Sequence, residues 1–320
     1  MELIQAKPRG FCAGVVRAIE IVELALDVCE APIYVYHEIV HNRHVVEDLE
    51  KRGAIFVESL SEIPAGSVTI FSAHGVPQSV VSEASERKLD VIDATCPLVT
   101  KVHLQARSYS GQGYSVIIVG HVGHQEVEGT LGAIKGPAYV LSTVEEVAQL
   151  EVEDPEKVAY VTQTTLSIDD TREVIDALKA RYPEIQGPGL DDICYATQNR
   201  QNAVHELAQQ VDLMLVVGSS NSSNSSRLRE VGEQFGVTSY LIENESHIKD
   251  EWLSEGIKIG VTAGASAPEV LVEEVIDRLR RSGVTKVSTM NGVEESAVFK
   301  IPKKLIEAKE ILDNSQTSAT

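Results

Sequence analysis

The sequence predicts an α/β fold of three quasi-repeated αβ modules, with mostly parallel sheets arranged around one central cavity. Two observations predict it. Three cysteine motifs divide the chain at similar intervals, and helical and strand-like segments alternate after each motif. Because parallel strands are joined through crossover connections that are usually helical, this alternation favours parallel sheets covered on both faces.

Each predicted module begins at a cysteine that precedes a helical segment and then a short, β-branched apolar run typical of a buried strand. The motifs are RGFCAGV with Cys12, DATCPLV with Cys96 and DICYATQ with Cys194. The helical segments are VVRAIEIVELAL, LVTKVHLQARSY and NRQNAVHELAQQV, and the strands are PIYVYHEIV, YSVIIVG and DLMLVVG. The fourth cysteine, Cys29, lies at helical spacing from Val22 and Leu26, so we expect it in the core.

Two polar loops recur in each module after predicted strands. The first loop carries His41, His124 and Ser222, which follow their cysteines by 29, 28 and 28 residues. The second carries His74, Thr164 and Ser266, at offsets of 62, 68 and 72 residues. Ligands of open α/β sheets bind beyond the carboxyl ends of the strands. If the modules pack around a pseudo-threefold axis, six loops and three thiols converge on one cavity.

The module boundaries follow from these landmarks. We expect a first αβ module over residues 1–96 with Cys12, a second over 97–191 with Cys96, and a third over 192–280 with Cys194. Residues 281–320 are expected to return to the core. The polar end of this segment, NSQTSAT, is expected to be disordered.

The composition of the chain indicates which partners and which cellular location to expect. The 320 residues are 43% apolar and carry a net charge of −20. Duplex nucleic acid and anionic membranes need dense Lys and Arg, so neither is expected as a partner. The sequence contains neither an 18-residue apolar run nor the layout of a signal peptide, which predicts a cytoplasmic protein. The plastid stroma is the alternative if the source is photosynthetic and a transit peptide was removed.

Three convergent thiolates suit iron–sulfur chemistry better than structural zinc. A closed zinc site takes four ligands, typically from CxxC pairs, and this sequence has no such pair. An iron–sulfur cubane held by only three cysteines leaves one iron open to a substrate. The alternative is that these cysteines are ordinary buried core residues.

The loop residues indicate an anionic ligand. His41, His74 and His124 precede or begin helices, and TQTTLS and SSNSSNSS offer hydroxyls, amides and backbone N–H groups at helix starts, as phosphate sites do. The alternatives are a flexible linker for SSNSSNSS and a simple helix cap for TTLSIDD. The sequence HQE resembles the H-x-E of zinc deaminases but lacks their P-C-x-x-C, so Glu126 is interpreted as a general acid.

Together these motifs resemble the 4-hydroxy-3-methylbut-2-enyl diphosphate reductase family of the non-mevalonate isoprenoid pathway. The resemblance covers residues 1 to 300 and rests on PRGFCAGV, HEIVHN, FSAHGV, DATCPLVTKVH, GHVGHQEVEGT, TQTTLS, DDICYATQNRQ, GSSNSSNSSRL and VTAGASAPE. It implies an oxygen-sensitive [4Fe–4S] cluster in the central cavity. It also implies an iron–sulfur oxidoreductase that converts its allylic diphosphate substrate to isopentenyl and dimethylallyl diphosphate.

The resemblance also assigns roles to residues and implies partners. Cys12, Cys96 and Cys194 match the cluster ligands, and Glu126, with Thr164 beside it, matches the proton relay. The diphosphate site is matched by His41, His74, His124, Ser222, Ser223, Asn224 and Ser266. An external electron donor such as ferredoxin or flavodoxin is expected, because the reaction consumes two electrons.

Two alternative functions remain at this stage. One is a redox-neutral iron–sulfur hydro-lyase, which would turn over without a reductant. The other is a non-catalytic iron–sulfur sensor or carrier, which would need neither Glu126 nor six polar loops. A sensor would normally also carry a recognition surface, and the sequence has neither a basic patch nor a DNA-binding motif.

Overall fold

The computed structural model describes residues 1–317. Up to the second cysteine motif its elements are β1 (Glu2–Gln5), α1 (Ala13–Val28), β2 (Ile33–Tyr36), α2 (Arg43–Lys51), β3 (Ala54–Val57), β4 (Val68–Phe71), α3 (Gln78–Glu86) and β5 (Asp90–Asp93). The next part contains α4 (Pro97–Gly111), β6 (Ser115–Val119), α5 (Gln125–Leu131), β7 (Ala138–Leu141), α6 (Val144–Gln149), β8 (Val158–Thr162) and α7 (Ile168–Arg181).

The remaining elements follow the third cysteine motif. They are α8 (Tyr195–Ala208), β9 (Leu213–Val217), α9 (Ser223–Gln234), β10 (Thr238–Ile242), β11 (Lys258–Ala263), α10 (Glu269–Arg281), β12 (Lys286–Thr289) and α11 (Lys303–Thr317). Within the described residues, no helix is both long and apolar enough to cross a bilayer.

The strands form three sheets that share one strand order. The orders are β3-β2-β4-β5, β7-β6-β8 and β10-β9-β11-β1-β12, and all strand pairs are parallel. In each sheet the first strand of the module lies between its second and third strands. The predicted fold class, three αβ modules with parallel sheets, is therefore confirmed.

Helices cover both faces of the sheets, which explains the apolar runs. All five residues of β6 and all five of β9 are buried, so neither strand alternates between apolar and polar residues. In the first module, α1 packs against β2 through Ile21, Val22 and Ile33. Cys29, at the end of α1, packs against the edge of this cluster, in agreement with its predicted place in the core.

The first strand departs from the predicted module boundaries. β1 pairs with β11 and β12, so residues 2–5 belong to the sheet of the third module, although residues 1–96 were assigned to the first. The sequence ELIQ is too short to show periodicity, and its partners lie more than 250 residues away along the chain. The first module's own sheet begins at β2.

A segment without helix or strand, residues 290–302, connects β12 to α11, and we call it the strap. Its Glu295 forms a bidentate ion pair with the fully buried Arg200 of α8, with distances of 3.0 and 3.2 Å. The Arg200 guanidinium also donates to the Gly10 carbonyl at 2.7 Å. Leu305 of α11 is buried in the first module's core, so the C-terminal segment returns to the body of the protein.

The expected disorder of the terminal sequence NSQTSAT needs a correction. Helix α11 continues through Thr317, so residues 314–317 are helical. Polar composition alone did not reveal that this end continues a helix that packs against α1. Residues 318–320 lie outside the described part of the chain.

Candidate active site

The three module cysteines occupy the same structural position. Cys12, Cys96 and Cys194 are the N-cap residues of α1, α4 and α8. Each backbone N–H donates to a carbonyl in the second polar loop of another module: Cys12 to Ala265 at 3.2 Å, Cys96 to Ala73 at 3.0 Å, and Cys194 to Thr164 at 3.1 Å. These hydrogen bonds run in a cycle from module to module, so the three modules form a closed ring.

The three thiols face one cavity, which has a volume of about 110 Å³. All twelve predicted site residues line it: Cys12, His41, His74, Cys96, His124, Glu126, Thr164, Cys194, Ser222, Ser223, Asn224 and Ser266. Each module contributes residues from both of its polar loops. None of the described residues that line this cavity is Lys or Arg.

The surroundings of the thiols fit a group larger than a single ion. A Cβ atom on Gly14 would lie 2.8 Å from the Cys96 sulfur and 3.8 Å from the Cys12 sulfur, so the space between these thiols requires glycine. Among the described residues no set of three His, Cys, Asp or Glu side chains is arranged to share one metal ion. A multi-iron cluster takes its thiolates on different irons, which suits three thiols from three helices.

Burial favours the neutral form of two of these thiols, Cys96 and Cys194. It raises the pKa of Cys96 to about 11 and that of Cys194 to about 12. The Thr197 backbone N–H, in the first turn of α8, opposes this shift by donating to the Cys194 sulfur at 3.3 Å. N–H groups at helix starts stabilise thiolates, so these positions suit a cation that displaces the thiol protons.

Three histidines form one wall of the cavity. The rings of His41 and His74 stack with centroids 4.0 Å apart, and the ring of His124 stands edge-on to both. Burial lowers the pKa of His124 to about 4 and that of His74 well below its ordinary value. His124 Nδ1 accepts the Glu126 backbone N–H at 3.1 Å, so a neutral His124 carries its proton on Nε2 and can donate from there.

The third module supplies hydroxyls and amides. Ser222 is the N-cap of α9, and its Oγ accepts the Ser225 N–H at 3.3 Å. Asn224 Oδ1 accepts the Ala265 N–H at 2.8 Å, which fixes the orientation of the amide. Ser266 donates to the His41 carbonyl at 2.9 Å and so joins the first and third modules at the cavity. The start of α9 thus offers oriented donors to an anion.

Glu126 is the buried carboxyl group of the cavity, with 2% of its surface exposed. Its Oε1 accepts the Thr164 backbone N–H at 2.6 Å, and its Oε2 accepts the Thr164 hydroxyl at 2.9 Å. Burial raises the pKa of Glu126 to about 7, although the two hydrogen bonds from Thr164 favour the charged form. A carboxyl group with such a pKa can hold a proton near neutral pH and release it.

The structure resolves the alternatives left by the polar loops. SSNSSNSS is not a flexible linker, because Ser222 caps α9 and the residues after it form its first turns. TTLSIDD does contain a cap, since Ser167 accepts the Asp170 N–H at the start of α7. Thr164 and Thr165 of the same loop nevertheless line the cavity, so the loop has both roles.

Sequence reasoning missed several residues of the cavity wall. Thr165, Tyr195, Thr197 and Phe299 line it as well. The first three lie within three residues of Thr164 or Cys194 and could have been found by extending the motifs. Phe299 belongs to the strap, which has neither a repeat partner nor a periodic pattern, so nothing in the sequence linked it to the cavity.

Comparisons with known proteins agree with this geometry. The family model described as LytB protein matches residues 3–280. The chain is 58% identical over 305 residues to 4-hydroxy-3-methylbut-2-enyl diphosphate reductase 2 of Bradyrhizobium diazoefficiens, with 95% of this chain and 99% of that protein covered. It is 57% identical over 308 residues to the 4-hydroxy-3-methylbut-2-enyl diphosphate reductase of Aliivibrio fischeri, with 95% and 98% covered.

A solved structure has the same fold. The E-1-hydroxy-2-methyl-but-2-enyl-4-diphosphate reductase of Plasmodium falciparum superposes with a TM-score of 0.94 and 37% identity, covering 98% of this chain and 99% of that one. A second structure, of (E)-4-hydroxy-3-methyl-but-2-enyl diphosphate reductase, described as the terminal enzyme of the non-mevalonate pathway, gives a TM-score of 0.63 at 33% identity. It covers 88% of this chain and 100% of that one.

Proposed function

The chain belongs to the LytB protein family, and from that premise we propose that it reduces 4-hydroxy-3-methylbut-2-enyl diphosphate to isopentenyl and dimethylallyl diphosphate. The reaction removes an allylic hydroxyl group as water and consumes two electrons and two protons. The protein is an iron–sulfur oxidoreductase of isoprenoid biosynthesis. One observation carries the proposal: three thiols, a buried carboxyl group and six polar loops line one cavity.

We assign a [4Fe–4S] cluster to Cys12, Cys96 and Cys194. Their place at three helix starts and the glycine at position 14 support this assignment. When bound, such a cluster supplies electrons and an open iron that acts as a Lewis acid toward the substrate hydroxyl. Because each module contributes one ligand, the cluster can bind fully only after all three modules have folded together.

The polar loops bind the diphosphate of the substrate. His124 donates from Nε2, Asn224 from Nδ2, and Ser222, Ser223 and Ser266 contribute hydroxyl groups. His41 and His74 complete the wall. No lysine or arginine of the described cavity lining balances the negative charge of the diphosphate. Hydrogen bonds from neutral donors and the N–H groups at the start of α9 therefore provide most of its stabilisation. This arrangement keeps the ligand oriented in a chain whose net charge is −20.

Glu126 supplies the proton that converts the departing hydroxide to water. Thr164 positions the carboxyl group through both of its oxygens, and burial keeps the proton on it near neutral pH. The second proton completes the product at carbon. Burial also excludes bulk water from the reacting group, which limits side reactions.

The proposed reductase needs a supply of electrons, whereas a redox-neutral hydro-lyase does not, and this difference distinguishes the two functions. The test is turnover of the authentic substrate by anaerobically purified protein, with and without dithionite and methyl viologen, alongside iron and sulfide analysis and electron paramagnetic resonance. We expect product only with the reductant. Turnover without a reductant would favour the hydro-lyase, and an absence of iron and sulfide would reject both.

A pair of cysteine variants tests the ligand assignment. Cys96→Ser should lose most of the iron, the sulfide and the activity. Cys29→Ser, a matched change outside the cavity, should retain all three. Full activity in Cys96→Ser would refute the assignment.

A further inference from the structure

A second cavity, which we call the outer cleft, adjoins the active site on the side of Cys12. It has a volume of about 350 Å³ and lies between the start of α1 and the strap. Cys12, Tyr195 and Phe299 line both the outer cleft and the active-site cavity. These three side chains therefore form the partition between the two, and Cys12 can be approached without entering the substrate site.

The rim of the outer cleft is apolar. Val298 of the strap is 88% exposed, Val16 of α1 is 38% exposed, and Ala297 beside Val298 is also exposed. A partner protein that covers these aliphatic side chains would gain stability by removing their surface from water. The partition itself adds the two half-buried aromatic rings of Tyr195 and Phe299.

The charge near the cleft differs from that of the whole chain. Lys300 is exposed, and its side chain forms no ion pair among the described residues. Arg17 lines the cleft, and its guanidinium donates to the main-chain carbonyl of Lys300 at 2.8 Å, so these two residues are neighbours across the cleft edge. Of the two acidic residues of the lining, Glu295 is neutralised by Arg200, which leaves Glu20. In a chain of net charge −20, this is a local site for a negatively charged surface.

We propose that the outer cleft is the docking surface for a small acidic one-electron carrier protein. The proposal rests on the proposed function and names the face at which its electrons enter. The carrier places an apolar tip against Val16 and Val298, while its acidic rim faces Arg17 and Lys300. Substrate held in the inner cavity does not obstruct it.

The electron balance requires two encounters in each turnover. In each, the carrier is oxidised by one electron and the group held by the cysteines is reduced by one. Two electrons and two protons then convert the substrate to product and water, with one proton from Glu126. A hydride donor would deliver two electrons at once and would need a nucleotide site at the cleft, where the lining offers no glycine-rich phosphate loop among the described residues.

The test uses anaerobically purified holoenzyme and purified acidic flavodoxin as the probe. Val298→Glu and Lys300→Glu change the rim of the cleft. Ile311→Glu and Lys179→Glu make the same chemical changes at exposed positions of α11 and α7 outside it. Dissociation constants are measured by calorimetry with oxidised flavodoxin, without turnover. Stopped-flow spectroscopy then compares the reduction of the protein by flavodoxin hydroquinone with its reduction by dithionite.

We expect each cleft variant to weaken flavodoxin binding by about fivefold or more, and the flavodoxin-driven reduction to slow correspondingly. Iron content and the rate with dithionite should stay unchanged, and the control variants should behave like the wild type. Added salt should weaken binding to the wild type more than to Lys300→Glu, because screening removes only charge-dependent attraction.

Equal flavodoxin affinity in wild type and both cleft variants would overturn the proposal. An equal loss of rate with flavodoxin and with dithionite would also overturn it, because the substitutions would then act through the cluster. Substrate turnover with dithionite tests the proposed function separately. Its failure, with flavodoxin binding still sensitive to Val298 and Lys300, would reject the reaction and retain the docking surface.

Discussion

Thr164 binds both oxygens of the Glu126 carboxyl group, with its backbone N–H 2.6 Å from Oε1 and its hydroxyl 2.9 Å from Oε2. These bonds stabilise the charged form, whereas burial favours the protonated form. Burial is the larger effect and raises the pKa of Glu126 to about 7. The pair thus fixes the position of a carboxyl group that can exchange a proton near neutral pH, as its proposed role requires.

The first prediction concerns this proton. Glu126→Gln keeps the shape of the side chain but cannot release a proton. The variant should bind its cluster and substrate while reductive turnover falls by about 10²- to 10⁴-fold, the usual contribution of a general acid. Anaerobic turnover with a chemical reductant measures it, and near-normal rates would mean that the proton comes from elsewhere.

The same carboxyl group predicts a pH dependence. Because the acid form is required, kcat/KM should fall as the pH rises through about 7, the raised pKa of Glu126. Thr164→Val removes the hydroxyl donor that favours the charged form, so the descending limb should move to higher pH. A limb that stays in place in Thr164→Val would show that another group controls it.

Gly14 provides a prediction about the cluster. In Gly14→Ala the new Cβ would lie 2.8 Å from the Cys96 sulfur, so iron and sulfide content should fall sharply. Gly111→Ala is the matched control, because Gly111 lies in α4 with no atom within 4 Å of an added Cβ. Alanine is the better helix former at both positions by up to about 1 kcal/mol, so loss of helix cannot explain a loss of iron. Equal iron content in the two variants would contradict the fit.

The diphosphate loops predict a change in affinity. Asn224→Asp can still accept the Ala265 N–H, but it loses a donor and adds a negative charge at the start of α9. Binding of inorganic diphosphate to the holoenzyme should weaken by about tenfold or more, as measured by calorimetry. Asn244→Asp, at a partly buried helix cap outside this cavity, should leave the affinity unchanged. Unchanged affinity in Asn224→Asp would place the diphosphate elsewhere.

The buried ion pair of the strap predicts a large effect on stability. Arg200→Met leaves the Glu295 carboxylate and the Gly10 carbonyl without their donor, and should cost about 3–5 kcal/mol in the free energy of unfolding. Arg172→Met breaks an exposed pair with Asp169 and should cost less than about 1 kcal/mol. Urea denaturation under anaerobic conditions compares them. A loss in Arg200→Met as small as that in Arg172→Met would show that the pair does not stabilise the fold.

The site could be predicted from the sequence to the extent that it repeats. Cys12, Cys96 and Cys194 share the N-cap position of equivalent helices, and the nearly constant distance to His41, His124 and Ser222 reflects one helix and one strand in each module. Strands that are buried on both faces have continuous apolar sequences, which can be recognised from the sequence alone. Because the three sheets share one strand order, the equivalent residues of each module follow equivalent strands.

Features that have no equivalent in the other modules could not be predicted from the sequence. Strand β1 pairs with strands from the far end of the sequence, and no local pattern specifies such pairing. Glu295 and Phe299 lie in the strap, whose sequence has no periodicity, and their positions depend on Arg200 and on the cavity wall. The pKa of Glu126 depends on its burial in the folded protein, which the HQE motif alone does not indicate.

The placement of β1 also has a consequence for synthesis on the ribosome. Glu2 on β1 and Lys286 on β12 are 284 residues apart, so β1 must wait for the synthesis of β12 before its sheet is complete. At about 5–20 residues per second, that interval is on the order of tens of seconds. The loop carrying Cys12 follows β1 and reaches its final position only then. Delivery of the proposed iron–sulfur cluster must therefore follow the synthesis of β12, and a nascent chain that stalls earlier exposes its candidate ligand thiols to oxidation.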